Sequence, residues 1–218
     1  MEPQIRTAHP DLARVRDRLL PRLQAPHQPG GLLDWVPGKL SVALTTDTRD
    51  GPQPVDVADL ERWHETAQGL MATALENLRR RSQADSWYPL QTVPGLSVYL
   101  AHDGLAASRL LLLPEMLDRW PLGGVVSAVP TPDQLFVLPI EHLDDVSALQ
   151  TLVQSSTMAH AMGDFPLSDQ IFWCDDRGWR HVQVEHGPDT LEIIPPPEFL
   201  DRVRQIAALS LVRTVGEG

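Results

Sequence analysis

Cys174 is the single cysteine of the chain, and a thiol beside an imidazole can ionise and act as a nucleophile. Residues 170–174 and 179–185 flank Asp175-Asp176-Arg177-Gly178, which has the signature of a β-hairpin. If Cys174 lies opposite Trp179, then His181 falls diagonally across on the same face. Diagonal neighbours lie within reach of long or aromatic side chains. Such a Cys174/His181 pair would suit thiol catalysis. Phe172 and Trp179 share that face, however, and a lone cysteine there also reads as a small buried hydrophobe.

A second constellation could hold a metal. Glu61-x-x-His64 matches half of the carboxylate–histidine motif of di-iron bundles, which needs a second copy on a facing helix. His160 falls on an apolar stripe with Val146, Leu149 and Val153. His64 and His160 could therefore meet across a core and share an ion, or each could be a core histidine bonded to a backbone carbonyl. His102-Asp103 ends a strand and runs into Gly104, so it reads as a turn and not as a metal-binding doublet. Gly123-Gly124 lacks the glycine spacing and the lysine of a phosphate loop. Ser155-Ser156 lies inside a helical pattern and no Gly-x-Ser-x-Gly elbow exists. Turn chemistry accounts for Asp175-Asp176.

The same hairpin carries residues suited to an interface. Trp173 opposite Arg180 would form a cation–π pair. Tryptophan and arginine are the residue types that anchor interfaces, so Trp173, Trp179 and Arg180 are the candidate partner-binding residues.

These residues need elements to position them. A helix is expected from Asp11, with Leu12, Val15, Leu19 and Leu23 on one face. Residues 32–36 and 40–45 flank Pro37-Gly38, suited to a type II turn. The stretch 59–81 repeats Leu60, Trp63, Ala67, Leu70, Met71, Ala74, Leu75 and Leu78 along one stripe, which predicts an amphipathic helix packed on a sheet. A strand over 96–100 precedes a buried helix over 106–120 that Pro114 kinks or restarts. Residues 125–129 and 134–138 form another hairpin. A helix over 143–162 starts with Asp144 and Asp145 in its first turn, where the helix dipole favours them. After the 170–185 hairpin come a short strand over 191–194 and a last helix with Phe199, Leu200, Val203 and Ile206 inward.

Hairpins dominate this order, so the expected class is α+β with mostly antiparallel sheets packed by long amphipathic helices. Two lobes, 1–102 and 103–218, are one arrangement; a single domain is the other. With 218 residues, 42% hydrophobic and 22% charged, the chain can bury a core without disulfides or a structural metal. A net charge of −11 argues against nucleic acid and fits solvation or a basic partner. No apolar run approaches the roughly 20 residues that cross a bilayer. Met1 to His9 are polar and charged where a signal peptide would be apolar. One cysteine fits a reducing compartment, hence the cytoplasm.

Three segments carry a family resemblance: Ala74-Leu75-Glu76-Asn77-Leu78; Asp103-Gly104-Leu105-Ala106-Ala107-Ser108-Arg109-Leu110-Leu111-Leu112; and Val125-Val126-Ser127-Ala128-Val129-Pro130 with Asp133-Gln134-Leu135-Phe136-Val137. Together they resemble the YtpQ-like family of bacterial proteins of unknown function. The resemblance implies a bacterial, cytoplasmic protein and supplies no catalytic residue.

The expectation is thus a non-enzymatic cytoplasmic interaction protein, an adaptor, chaperone-like or immunity-type binder of another protein, with no cofactor. The alternative is an enzyme using the Cys174/His181 thiol or a His64/His160 metal site.

Overall fold

A computed structural model describes residues 10–26, 28, 31–82, 86–91, 93–187 and 190–216; Met1 to His9, expected to lack a leader, lie outside them. The fold is α+β, as expected, with its strands in two antiparallel sheets. The smaller sheet has the order β1 (Leu19–Gln24), β3 (Leu40–Thr48), β2 (Gly31–Val36), and β4 (Gly51–Pro54) also pairs with β3. In the larger sheet β11 (Leu191–Ile194), β10 (Gly178–His186) and β9 (Ile171–Asp175) are followed by β7 (Val125–Thr131). Beyond it lie β8 (Gln134–Pro139), β6 (Ser97–Leu100) and β5 (Trp87–Pro89). This sheet takes strands from both sides of position 102.

Alternation along these strands gives the larger sheet two apolar faces. Val126, Ala128, Phe136 and Trp173 pack under α6 (Leu149–Met162) and α7 (Pro197–Gly216) through Leu152, Val153, Phe199 and Ile206. On the other face Tyr99, Leu135, Val137 and Phe172 meet Leu23, Val36, Leu40 and Val42 of the smaller sheet. Leu200, expected inward on α7, is 44% exposed. Leu19 and Leu44 of the smaller sheet face α2 (Val57–Trp63) and α3 (Ala67–Arg80), burying Leu60, Leu70 and Ala74.

Hairpins fall where turn residues place them. Gly38 has φ +66°, as the third residue of a type II turn requires. Helix extents depart from expectation at four places. The first helix stops after α1 (Leu12–Val15), a 3-10 turn follows, and Leu19 onward is strand. Pro21 cannot donate within a helix and disfavours helical backbone at Leu20. The Asn77 amide fixes the switch by donating to the carbonyls of Arg16 at 2.8 Å and Leu19 at 2.9 Å.

The 59–81 stripe is two helices. Asp56 and Asp59 form a capping box at the start of α2, His64 ends it in the left-handed region at φ 54°, and Thr66 caps α3. The apolar stripe survives the break because both helices lie on the same sheet. The 143–162 segment likewise divides into α5 (Leu143–Ser147) and α6, separated by Ala148. The 106–120 segment is a 3-10 helix (Ala107–Leu112) followed by α4 (Leu113–Met116), with Pro114 in its first turn. Proline is tolerated there because the N–H it lacks would have no helical partner.

Arg109 joins these layers. It is 1% exposed, and its guanidinium donates to both carboxylate oxygens of Asp103, at 3.1 and 2.8 Å. It also donates to the Ser82 hydroxyl at 3.0 Å and the Arg81 carbonyl at 2.8 Å. Burial raises the Asp103 pKa, but Arg109 outweighs it and holds the carboxyl below its usual value.

Two stability measurements check this account. Arg109→Met strands the partners it satisfies, and should lower unfolding free energy in urea by about 3 kcal/mol. His64→Gly relieves a left-handed residue at a helix end and should raise it by about 0.5–1 kcal/mol.

Candidate functional site

The β9–β10 hairpin has the expected register, with Cys174 opposite Trp179, Arg180 opposite Trp173 and His181 opposite Phe172. Burial decides what each side chain can do. Cys174 is 5% exposed, and its thiol donates to the Asp175 carbonyl at 3.4 Å. Burial and then the Asp175 charge push that thiol up to about 12. His181 sits edge-on to Phe172, with 6.4 Å between ring centres. Burial and then the Lys39 charge lower its pKa, so near neutral pH it carries no charge to stabilise a thiolate. A buried thiol held protonated lacks the thiolate that acts as the nucleophile.

Trp173, expected at an interface, is fully buried. Its indole Nε1 donates to the Gly123 carbonyl at 2.9 Å, and its ring meets Phe199 edge-on at 5.6 Å. Gly124 is required beside it: φ is +77°, and a Cβ there would lie 2.3 Å from the Cys174 carbonyl oxygen. Gly123-Gly124 thus seats a tryptophan. Trp179 is half-buried against the core on the opposite face.

Arg180 does lie over the Trp173 ring, 5.3 Å from its centre, but its charge is committed inside the fold. It donates to Asp175 at 2.8 Å, and Arg202 of α7 reaches the other oxygen of the same carboxylate at 3.4 Å. The Arg177 amide adds a third bond at 2.9 Å, and Asp176 pairs with Arg202. Burial raises the Asp175 pKa, but Arg180, the Arg177 amide and Arg202 together bring it below the usual range. The Asp175-Asp176 doublet therefore does more than shape a turn: it ties the hairpin to α7.

His64 and His160 do not meet. His64 is exposed at the end of α2, beside the smaller sheet, whereas His160 is half-buried on α6 beyond the opposite face of the larger sheet. Among the described residues no group of three or more His, Cys, Asp or Glu is placed to hold a metal.

A surface feature stands out elsewhere. At the C-terminal end of α6, Met158, Met162 and Phe165 are 63%, 78% and 77% exposed. Met158 and Met162 are one turn apart and share a helix face. Met162 borders a cleft of about 790 Å³, walled by Ala159, Met162 and Phe165 on one side and by Pro132, Asp133 and Gln134 on the other. Asp133 accepts the Gly104 amide at 2.8 Å. Among the described residues neither Asp133 nor Asp164, which also lines the cleft, has an ion-pair partner. Arg22 of the same cleft is committed to the Gly104 carbonyl at 2.7 Å and to Asp47 at 3.5 Å. The i, i+4, i+7 spacing of the three apolar residues is visible in the sequence, but the same spacing marks a buried stripe.

The hairpin assignments have direct checks. Trp173→Ala should cost about 3–5 kcal/mol of stability in urea, as an emptied aromatic site does. Native protein at neutral pH should leave Cys174 unlabelled by iodoacetamide, with labelling appearing on denaturation. Asp175 is lowered in the fold, so its stabilisation is present above the ordinary carboxyl value, about pH 3.9, and is lost as pH falls below it. Asp175→Asn should flatten that acid limb of the stability–pH curve.

The chain matches no family model, no curated protein and no solved structure, so no relative lends it a site or an activity.

Proposed function

We propose that the protein is a non-enzymatic interaction protein, an adaptor, chaperone-like or immunity-type binder. On this reading it docks a basic segment of another protein, tipped with apolar side chains, on the Met158–Met162–Phe165 surface. The carrying observation is the group of three large, mostly exposed apolar side chains around the end of α6, near Asp133 and Asp164, which have no ion-pair partner among the described residues. Single exposed hydrophobes need no explanation, but a contiguous patch with a polar rim is the usual mark of a binding surface. Methionine suits it, since its flexible thioether adapts to irregular partners.

Burying each of the three side chains contributes about 1.5–3 kcal/mol. Part of that sum offsets the lost freedom of association, which leaves room for a reversible complex. Asp133 and Asp164, with the net charge of −11, favour a basic partner and speed its approach. The resemblance to the YtpQ-like family and the single cysteine support a bacterial, cytoplasmic setting. Among the described residues no helix is long and apolar enough to cross a membrane.

The test is a pull-down from host lysate with the wild-type chain and with a Met162→Ser/Phe165→Ser variant, at about 150 mM salt. A stoichiometric partner should be retained by the wild type, fall at least about tenfold with the variant, and weaken at higher salt. Equal recovery by both chains, or a partner indifferent to salt, would remove this surface from the case.

A further inference from the structure

A second cleft, of about 580 Å³, shares no lining residue with the α6 surface. It lies on the face of the larger sheet that carries Tyr99 and Val137. Trp87 pairs across the strands with Tyr99, and Ser97 with Val137, so the side chains of one face line it together. Trp87 is held edge-on against Tyr99, with ring centres 5.2 Å apart and planes at 84°. Leu112, Met116 and Leu117, around α4, form the opposite wall. A concave site of this size, mostly apolar with a few polar groups, is the ordinary form of a small-molecule pocket.

Charge at the rim selects the ligand. Arg79, at the end of α3, donates to both carboxylate oxygens of Glu115, at 2.6 and 2.7 Å, and also bonds Glu76. An anionic ligand would have to displace one of these carboxylates. Asp118 is exposed and lines the same cleft, and among the described residues it has no ion-pair partner. The lining therefore holds two carboxylates, Glu115 and Asp118, against the single cation Arg79. The Trp87 indole adds a π-face, which attracts cations over anions.

We propose that this cleft binds a small organic cation with an apolar body, its ring or chain against Trp87, Val137 and Met116 and its ammonium group toward Asp118. The Arg79–Glu115 pair bridges α3 and α4 beside the bound molecule. As an exposed pair it contributes little stability and can open for entry.

Three probes of one shape isolate the charge: phenethylammonium, 2-phenylethanol and phenylacetate. Binding to the full chain is followed by NMR at the Trp87 indole N–H, assigned with Trp87→Phe, up to about 10 mM probe. The cation should bind most tightly, in about the millimolar range expected for so few atoms, then the alcohol, then the carboxylate. Asp118→Asn should weaken the cation about threefold and leave the alcohol unchanged. Met116→Trp, checked for folding by circular dichroism, should fill the cleft and abolish binding of all three. The proposal is overturned if phenylacetate binds as well as the cation, if Asp118→Asn leaves the preference intact, if a folded Met116→Trp variant still binds, or if none of the probes binds. Since the two clefts are separate, none of these results bears on docking at Met158, Met162 and Phe165.

Discussion

A guanidinium that is 1% exposed must have every nearby acceptor arranged for it, or the fold loses several kcal/mol. Arg109 meets that condition with Asp103, Ser82 and the Arg81 carbonyl, and its cationic plane lies 4.9 Å from the centre of the Tyr99 ring. Those partners come from the end of α3, from β6 and from the 103–108 segment. The requirement therefore fixes how three parts of the chain meet. Its effect reaches the smaller sheet. The same segment supplies the Ser108 hydroxyl that accepts the Leu23 amide at 3.1 Å, and the Gly104 carbonyl that holds Arg22. The free edge of β1 is thereby covered, which removes a strand edge that could template unwanted pairing.

Asp175 does for the hairpin and α7 what Arg109 does for α3 and the smaller sheet. In both places one charge is nearly inaccessible and its partners reach outward toward solvent. This arrangement limits the desolvation cost, because only one member of each pair is deeply buried. Several of the chain's few cations are consumed in this way. Arg22, Arg79, Arg81, Arg109, Arg180 and Arg202 all hold carboxylates within the fold. Asp118, Asp133 and Asp164 are left without such partners among the described residues, and each borders a cleft.

Local chemistry made much of this legible in advance. Pro37-Gly38 and Asp175-Asp176-Arg177-Gly178 placed their turns, and the alternation beside the second gave the Cys174–Trp179 register. The apolar stripe from Leu60 to Leu78 correctly announced a helical surface on a sheet. The helix ends were less legible. Pro21 inside the expected first helix, and Thr66 within the expected second, are local signals that outweigh a continuous stripe once the sheet offers strand partners or a surface on which two helices can share one stripe.

The sequence by itself determined the α+β class, the hairpins and which residues alternate together, because turn geometry and side-chain periodicity act over a few residues. Only the tertiary structure decided which faces are covered: both faces of the larger sheet are packed, whereas Met158 and Met162 of α6 stay exposed. Trp173 and Met162 are both large residues at regular positions. One lies beneath α7 with no exposure, whereas the other is 78% exposed at the end of its helix. Periodicity states that residues share a side, but burial depends on what the rest of the chain packs against that side. For the same reason the Cys174/His181 register was readable while the state of its thiol was not, since that state depends on the water excluded around it.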